Sequence, residues 1–355
     1  VRRPPLDARA PVVDTGAMRY DFASDNTAGL APEALAALLR ENAGFARAYG
    51  ADDTTARAAD RVREVLQADA EVRFVFSGTA ANSLALSMLA RPFEAVLAHD
   101  EAHIRSDETG APAFFGQGLG LIGLPGASGK IDPSALKAAL ATPEVGHRQP
   151  AAALSLTQAT EYGGVYSEEQ LRHLIEPAKA KGLGVHLDGA RLANAVAAGF
   201  DPADIARLGV DVLVFGGAKA GGLCVEALVL FDKALGHRLD NRLKQAGQVA
   251  SKARFLAAPL LGLLETGAWA GHAAHANLMA QRLLAGVRQR TPFVEAHPVE
   301  ASTVFLRIPN DAHARLQAAG WACYRFDDGS VRFVCSWATT EAAVDDLVED
   351  LARAV

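Results

Sequence analysis

The chain predicts an α/β protein: a mainly parallel sheet covered by helices on both faces, followed by a smaller α+β C-terminal unit. Three observations predict it. Short, nearly continuous apolar runs alternate with alanine- and leucine-rich stretches of helical length up to about residue 250, the pattern of parallel strands buried on both sides. Beyond that point the alternation gives way to one long helical region and two isolated strand-like runs. Finally, 355 residues, half of them hydrophobic and 21% charged, suffice for one large core or two ordinary ones. The implied division is an N-terminal arm over 1–19, a large α/β domain over 20–267 and a small α+β domain over 268–355.

In order, VRFVF (72–76) reads as a strand running into the helix SGTAANSLALSMLA. AVLAHD (95–100) and AAALSLT (151–157) are further strands, and the helix from Ser167 opens with a capping box answered by Gln170. LGVHLD (183–188) leads into ARLANAVAAG, VDVLVF (210–215) into the loop GGAKAGG, and CVEALVLF (224–231) closes the set. A helical region from Ser251 to about Arg290 is expected to break near Pro259 and Gly267. STVFLRI (302–308), SVRFVCSW (330–337) and a last helix from about Glu341 complete the chain.

A formal net charge of −6 offers no basic footprint for nucleic acid. The longest apolar run, Phe255 to Leu264, contains Pro259 and Gly262 and falls well short of the ~18 residues of a membrane span. Cys224, Cys323 and Cys335 are odd in number and form no CxxC pair, which suggests reduced thiols in a cytoplasmic protein. The first nineteen residues lack the apolar segment of a secretory signal and read as a loose arm, with Met18 a candidate natural start. His272 and His275 share a helix face without a third ligand nearby, so no metal site is expected.

Four segments carry chemistry. Gly118 to Gly123 matches GxGxxG, but turn residues follow where a dinucleotide site needs a helix, so a surface loop or bent strand is the better reading. Ser77-Gly78-Thr79 joins a strand end to a helix start, either as an anion cradle suited to phosphate or as a plain helix cap. Asp188 ends an apolar strand, where it can hold a cationic ring nitrogen or cap the next helix. Arg191, one turn on, can fork onto a carboxylate or phosphate, or form a surface ion pair. Lys219 stands among four glycines after another apolar strand. A lysine in a dry turn has a depressed pKa and can form a Schiff base, whereas an exposed loop lysine does neither. Anion cradle, acid and lysine in that order, each at a strand end, are the parts a pyridoxal-phosphate site requires.

At these residues the sequence resembles the fold-type I pyridoxal-phosphate enzymes, which share the aspartate aminotransferase-like fold. Within them it is most similar to the low-specificity L-threonine aldolases of the β-eliminating lyase group. FASDNTAGLAP, AYGADDTT, SGTAAN, the AHI around His103, HLDGAR, the GG-K loop, the stretch 244–269 and VRFVCSW carry the resemblance. It implies pyridoxal 5'-phosphate held by Lys219, with Asp188 on the pyridine nitrogen, Ser77, Gly78 and Thr79 at the phosphate, and His103 stacked on the ring. Ser24, Arg191 and Arg332 would grip the substrate carboxylate. Tyr49 would line a site shared between subunits of a homo-oligomer, a tetramer built as a dimer of dimers, and Arg242 or Lys244 would reach a neighbour's phosphate.

Two departures stand out. Ala218 and Ala220 flank the lysine where the family loop often has a hydroxyl and an amide. Glu161 occupies the position where many relatives have a histidine. Glu161 is then either the base for the β-hydroxyl, if burial raises its pKa, or an exposed loop carboxylate. The expected reaction is reversible retro-aldol cleavage of L-β-hydroxy-α-amino acids, L-threonine or L-allo-threonine giving glycine and acetaldehyde and L-phenylserine giving benzaldehyde. β-Elimination or glycyl transfer on the same cofactor is the nearest alternative. A protein that keeps the cofactor without turnover and a nicotinamide-dependent oxidoreductase built on Gly118–Gly123 are more distant ones.

Overall fold

The computed structural model describes residues 18–355, so all but the last two residues of the expected arm lie outside the described residues. Seven strands form the main sheet: β1 (Glu71–Val75), β2 (Ala95–His99), β3 (Gly120–Leu124), β4 (Ala151–Thr157), β5 (Gly184–Gly189), β6 (Val212–Gly216) and β7 (Glu226–Leu230). Their order across the sheet is β1-β7-β6-β5-β4-β2-β3. Only β7 runs against its neighbours, pairing antiparallel with both β1 and β6. Six strands therefore end at one edge of the sheet, and β7 begins there.

Both faces are buried, and alternate residues of one strand serve different cores. Leu213 and Phe215 of β6 pack with Leu171, Leu174 and Ile175 of the helix Glu168–Ala180 and with Leu256 and Leu260. Val212 and Val214 pack instead with Ala81, Leu84 and Ala85 of the helix Gly78–Leu89. This two-sided burial is why the strands read as unbroken apolar runs instead of alternating ones. The capping box forms as expected: Gln170 N–H donates to Ser167 Oγ (3.1 Å) and Ser167 N–H to Gln170 Oε1 (3.0 Å).

One sequence expectation needs correction. Pro259 lies inside the helix Arg254–Glu265 and does not interrupt it. Every residue from Leu256 to Leu263 is buried, and packing on that scale outweighs the ~3 kcal/mol a mid-helix proline costs. The break falls at Gly267, whose φ of +74° is left-handed. Most of Gly118–Gly123 lies in the edge strand β3, in keeping with the strand reading of that stretch, and the next helix begins only at Pro133. Without a helix opening on those glycines, the dinucleotide reading loses its basis.

The second sheet, β8 (Val294–Glu295), β9 (Thr303–Arg307), β10 (Tyr324–Arg325) and β11 (Val331–Val334), is antiparallel in the order β10-β11-β9-β8. The helix Ala268–Arg290 serves two cores: Trp269 and Ala273 pack in the first, while Ala276, Met279, Leu283 and Val287 pack with Val304, Leu306 and Phe333 in the second. Arg19 is bridged to Trp321 and stacks on its ring at 4.0 Å, and Phe22 joins the second core. Among the described residues no helix is long and apolar enough to cross a membrane, no cluster could hold a metal ion, and the three cysteines are free.

Candidate active site

A cavity of about 550 Å³ opens at the edge where the six strands end. Ser77, Gly78, Thr79, His103, Glu161, Asp188, Arg191 and Lys219, all singled out from sequence, line it together. Register explains the convergence. Asp188, one residue before the end of β5, sits between Thr157 of β4 and Val214 of β6, and Lys219 follows the end of β6 by three residues.

The lysine loop is held close to the sheet by glycines that nothing larger could replace. A Cβ on Gly216 would lie 2.5 Å from the Ala190 carbonyl oxygen, and one on Gly222 would lie 2.6 Å from that of Gly217. Trp269 Nε1–H donates to Gly216 O (2.9 Å) and so pins the strand end. Of the two alanines beside the lysine, Ala220 is buried in the large core and Ala218 faces the cavity. Burial and the Arg191 charge hold Lys219 below the usual lysine range, against the opposing charges of Asp25, Asp188 and Glu226. The amine is therefore nucleophilic at lower pH than a surface lysine.

Asp188 is ready to hold a cationic ring nitrogen. Ala190 N–H donates to its Oδ1 (2.9 Å) and Asn82 Nδ2 to its Oδ2 (2.8 Å). Burial opposes ionisation of Asp188, yet its pKa is lowered, because neighbouring charges and that Ala190 bond favour the carboxylate. The largest of these is the charge of His186, whose own pKa burial pushes down to about 4, so the ring is charged where Asp188 titrates and neutral near pH 7. The charges of Lys219 and His103 add to it and are the ones that remain near pH 7.

At the other end of the cavity, Ser77 caps the helix Gly78–Leu89 by accepting from Ala80 N–H (3.3 Å). A Cβ on Gly78 would meet no atom within 4 Å, so the first turn of the helix faces open space. Its N–H groups have no acceptor within the helix, and the dipole favours an anion there. A depressed lysine, an ionised aspartate and an anion cradle in one cavity fit pyridoxal phosphate in chemistry and placement.

Arg191 is not a free clamp. Its Nε donates to Asp25 Oδ2 (2.6 Å) and its Nη2 to Asp25 Oδ1 (3.0 Å), a two-pronged pair with both side chains mostly buried. Ser24, expected to bind substrate, serves a turn by accepting from Asn26 N–H (3.2 Å), while its neighbour Asp25 enters the cavity. Arg332 reaches Ala23 O (3.3 Å) and lies 5.0 Å over the Phe326 ring, near enough that its charge helps keep Asp25 ionised.

Ser24 and Arg332 are not among the residues that line the cavity, and three further expected residues lie away from it. Tyr49 is exposed with Lys244 Nζ 5.1 Å from its ring centroid, and Arg242 donates to Ser87 Oγ (2.8 Å) and Phe115 O (3.0 Å) beside a separate hollow. Among the described residues, His272 and His275 meet no metal cluster; they bond Glu33 (2.9 Å) and the Thr339 carbonyl (2.7 Å).

Glu161 is not an exposed loop carboxylate. Its Oε1 accepts from His103 N–H (2.9 Å) and Thr157 Oγ1 (3.0 Å), and its buried Oε2 has no hydrogen-bond partner among the described residues. Burial raises its pKa, with Asp188 adding to the effect.

Sequence reasoning missed Asp25, Asn82, Glu108 and Glu226. Only Glu226 carried a plain signal, as a lone acid inside the apolar run CVEALVLF. Because β7 runs backwards, its first residue falls at the catalytic edge, where Glu226 accepts from Gly217 N–H (2.9 Å). Burial pushes this carboxyl up to about 7. A raised folded-state pKa gives stability that is complete below the unfolded value and lost as pH rises through the folded one. The apoprotein should therefore lose about 2 kcal/mol from this group between about pH 5 and 8. Urea unfolding at the two pH values should show a shallower decline for Glu226→Gln; an unchanged decline would mean the carboxyl titrates normally.

Residues 21–310 match the beta-eliminating lyase family. The chain is 47% identical to the low specificity L-threonine aldolase of Pseudomonas sp. over 94% of its length and 97% of that protein's. It is 45% identical to the low specificity L-threonine aldolase of Pseudomonas aeruginosa, over 93% and 96% respectively. Among solved structures, the threonine aldolase of Leishmania major superposes with a TM-score of 0.89 at 32% identity, covering 94% of this chain and 99% of that one. The aspartate aminotransferase of Thermus thermophilus shares the fold, with a TM-score of 0.67 at 18% identity and coverage of 96% and 90%. The fold is that of the fold-type I enzymes, and by sequence as by structure the chain belongs to the beta-eliminating lyases, a pyridoxal-phosphate-dependent family.

Proposed function

We propose that this protein cleaves L-β-hydroxy-α-amino acids by a reversible retro-aldol reaction, L-threonine and L-allo-threonine to glycine and acetaldehyde and L-phenylserine to glycine and benzaldehyde. The observation that carries the reading is the single cavity holding Lys219, Asp188 and the Ser77–Thr79 helix start. The two Pseudomonas relatives, named for that activity, support the choice of reaction.

When bound, pyridoxal phosphate supplies an electron sink for charge developing at the substrate Cα. Lys219 would hold it covalently, Asp188 would pair with its ring nitrogen, and Ser77, Gly78 and Thr79 would take its phosphate. His103 covers one side of the cavity and excludes water there. Arg191, anchored by Asp25 through Nε and Nη2, presents Nη1 to the substrate carboxylate, with Arg332 beside it. That grip fixes which Cα bond is set for cleavage. Glu161, which lines the cavity with a raised pKa, accepts the β-hydroxyl proton.

Glu161→Gln should lower kcat for L-threonine by about 10²–10⁴-fold. A base must be deprotonated to act, so wild-type activity rises with pH through the Glu161 pKa, and the variant's profile should lose that limb. A variant with the wild-type profile would assign the proton to another group. The proposal as a whole is tested by aldehyde release from L-threonine and L-phenylserine: release supports it, and none from cofactor-loaded protein removes it.

The division into a large cofactor domain and a small C-terminal domain, cytoplasmic location and assembly as a homotetramer belong to the same proposal. Exposed Phe45, Tyr49 and Phe76 support an assembly that covers them. There Tyr49, Arg242 and Lys244 would serve a neighbouring subunit's site.

A further inference from the structure

Beneath the cavity a chain of buried polar groups links its acid to its histidine. Asn82, 1% exposed on the helix Gly78–Leu89, uses one amide nitrogen twice: Nδ2 donates to Asp188 Oδ2 and to Glu108 Oε1, each at 2.8 Å. Two N–H bonds meeting two carboxylates leave one sensible amide orientation. The same Glu108 Oε1 lies 2.9 Å from His103 Nδ1, and the Glu108 side chain is fully buried. Among the described residues Glu108 Oε2 has no hydrogen-bond partner, so this carboxylate bonds the rest of the site through Oε1.

We infer that Glu108 is a positioning residue: it fixes the His103 ring as a donor at Nδ1, turns Nε2 towards the cavity, and ties that arrangement to Asp188 through Asn82. An ionised carboxylate only accepts, so the Nδ1 proton belongs to His103 in that state. Neutral His103 then offers Nε2 as an acceptor, and the imidazolium offers it as a donor. The groups facing His103 are Glu108, Asp188, Glu161 and Lys219. Burial lowers its pKa, but the Glu108 bond and the charges of Asp188 and Glu108 outweigh that and the opposing Lys219 charge. Burial and the Asp188 charge raise the Glu108 pKa in turn, against the His103 and Asn82 bonds, so the histidine and its buried partner titrate as a pair. The role of His103 at the cofactor rests on the proposed function, whereas the geometry of the pair does not.

The test therefore uses the apoprotein. In ¹⁵N NMR of the wild type, assigned by comparison with His103→Asn, neutral His103 should carry its proton on Nδ1. Glu108→Gln keeps an acceptor oxygen for both donors but removes the charge, and should shift the His103 titration to lower pH. Glu108→Asp should restore part of the shift. In the loaded protein, the pH at which the cofactor absorbance changes should move in Glu108→Gln, which a purely structural residue would not cause. A wild-type His103 protonated on Nε2, or a titration unmoved in folded Glu108→Gln, would overturn the inference. The wild-type result decides even where the variant does not fold. Normal His103 behaviour in protein that releases no aldehyde would instead contradict the functional proposal alone.

Discussion

Lys219→Ala is expected to abolish aldehyde release from L-threonine, with a loss of at least about 10³-fold, because the variant lacks both a covalent anchor and an acid–base group. The fold should survive. Lys219 is only partly buried, and the loop around it is held by other means, including Gly216 against Ala190 and the Trp269 bond to the strand end. Removing an amine whose charged form desolvation already disfavours carries little stability cost. Borohydride treatment should fix the cofactor to the wild-type chain and not to the variant. Full turnover by Lys219→Ala would refute the assignment.

Asp188→Asn has the second-largest expected effect, a fall in kcat of about 10²–10³-fold, the usual cost of losing one electrostatic stabiliser in a dry site. The substitution is nearly isosteric, and the Ala190 N–H can still donate to an amide oxygen. At the other atom the new amide nitrogen faces Asn82 Nδ2, a donor against a donor. Asn82 must then rotate, which breaks its bond to Glu108. Asp188→Asn should therefore also disturb His103, and its kinetic effect should be non-additive with Glu108→Gln. Additive losses in the double variant would mean the Asn82 link carries no coupling.

Much of this was legible in the sequence, for identifiable reasons. Strands buried on both faces leave unbroken apolar runs, so β1, β2, β4, β5, β6 and β7 were readable, while the glycine-rich edge strand β3 stood between a surface loop and a bent strand. Ser77, Asp188 and Lys219 were readable because each follows or ends such a run, where open α/β sheets place ligand groups. The Pro259 position was misread because tertiary burial overrode a local breaker. Asn82 and Asp188 are 106 residues apart, and nothing local marks an asparagine in a helix as the bridge between two carboxylates. Asp25 stood in a segment already singled out, but only the fold shows that it, and not Ser24, turns into the cavity against Arg191. Glu226 was the acid that could have been found, since a lone carboxylate in an apolar strand needs a partner or a purpose.

The central claim, that this cavity breaks the Cα–Cβ bond, is tested most directly by the products formed from L-threonine. The account predicts glycine and acetaldehyde in equal amounts, with no ammonia. Ammonia and 2-oxobutanoate in equal amounts, without glycine, would place the chemistry at the β-hydroxyl as an elimination and contradict it.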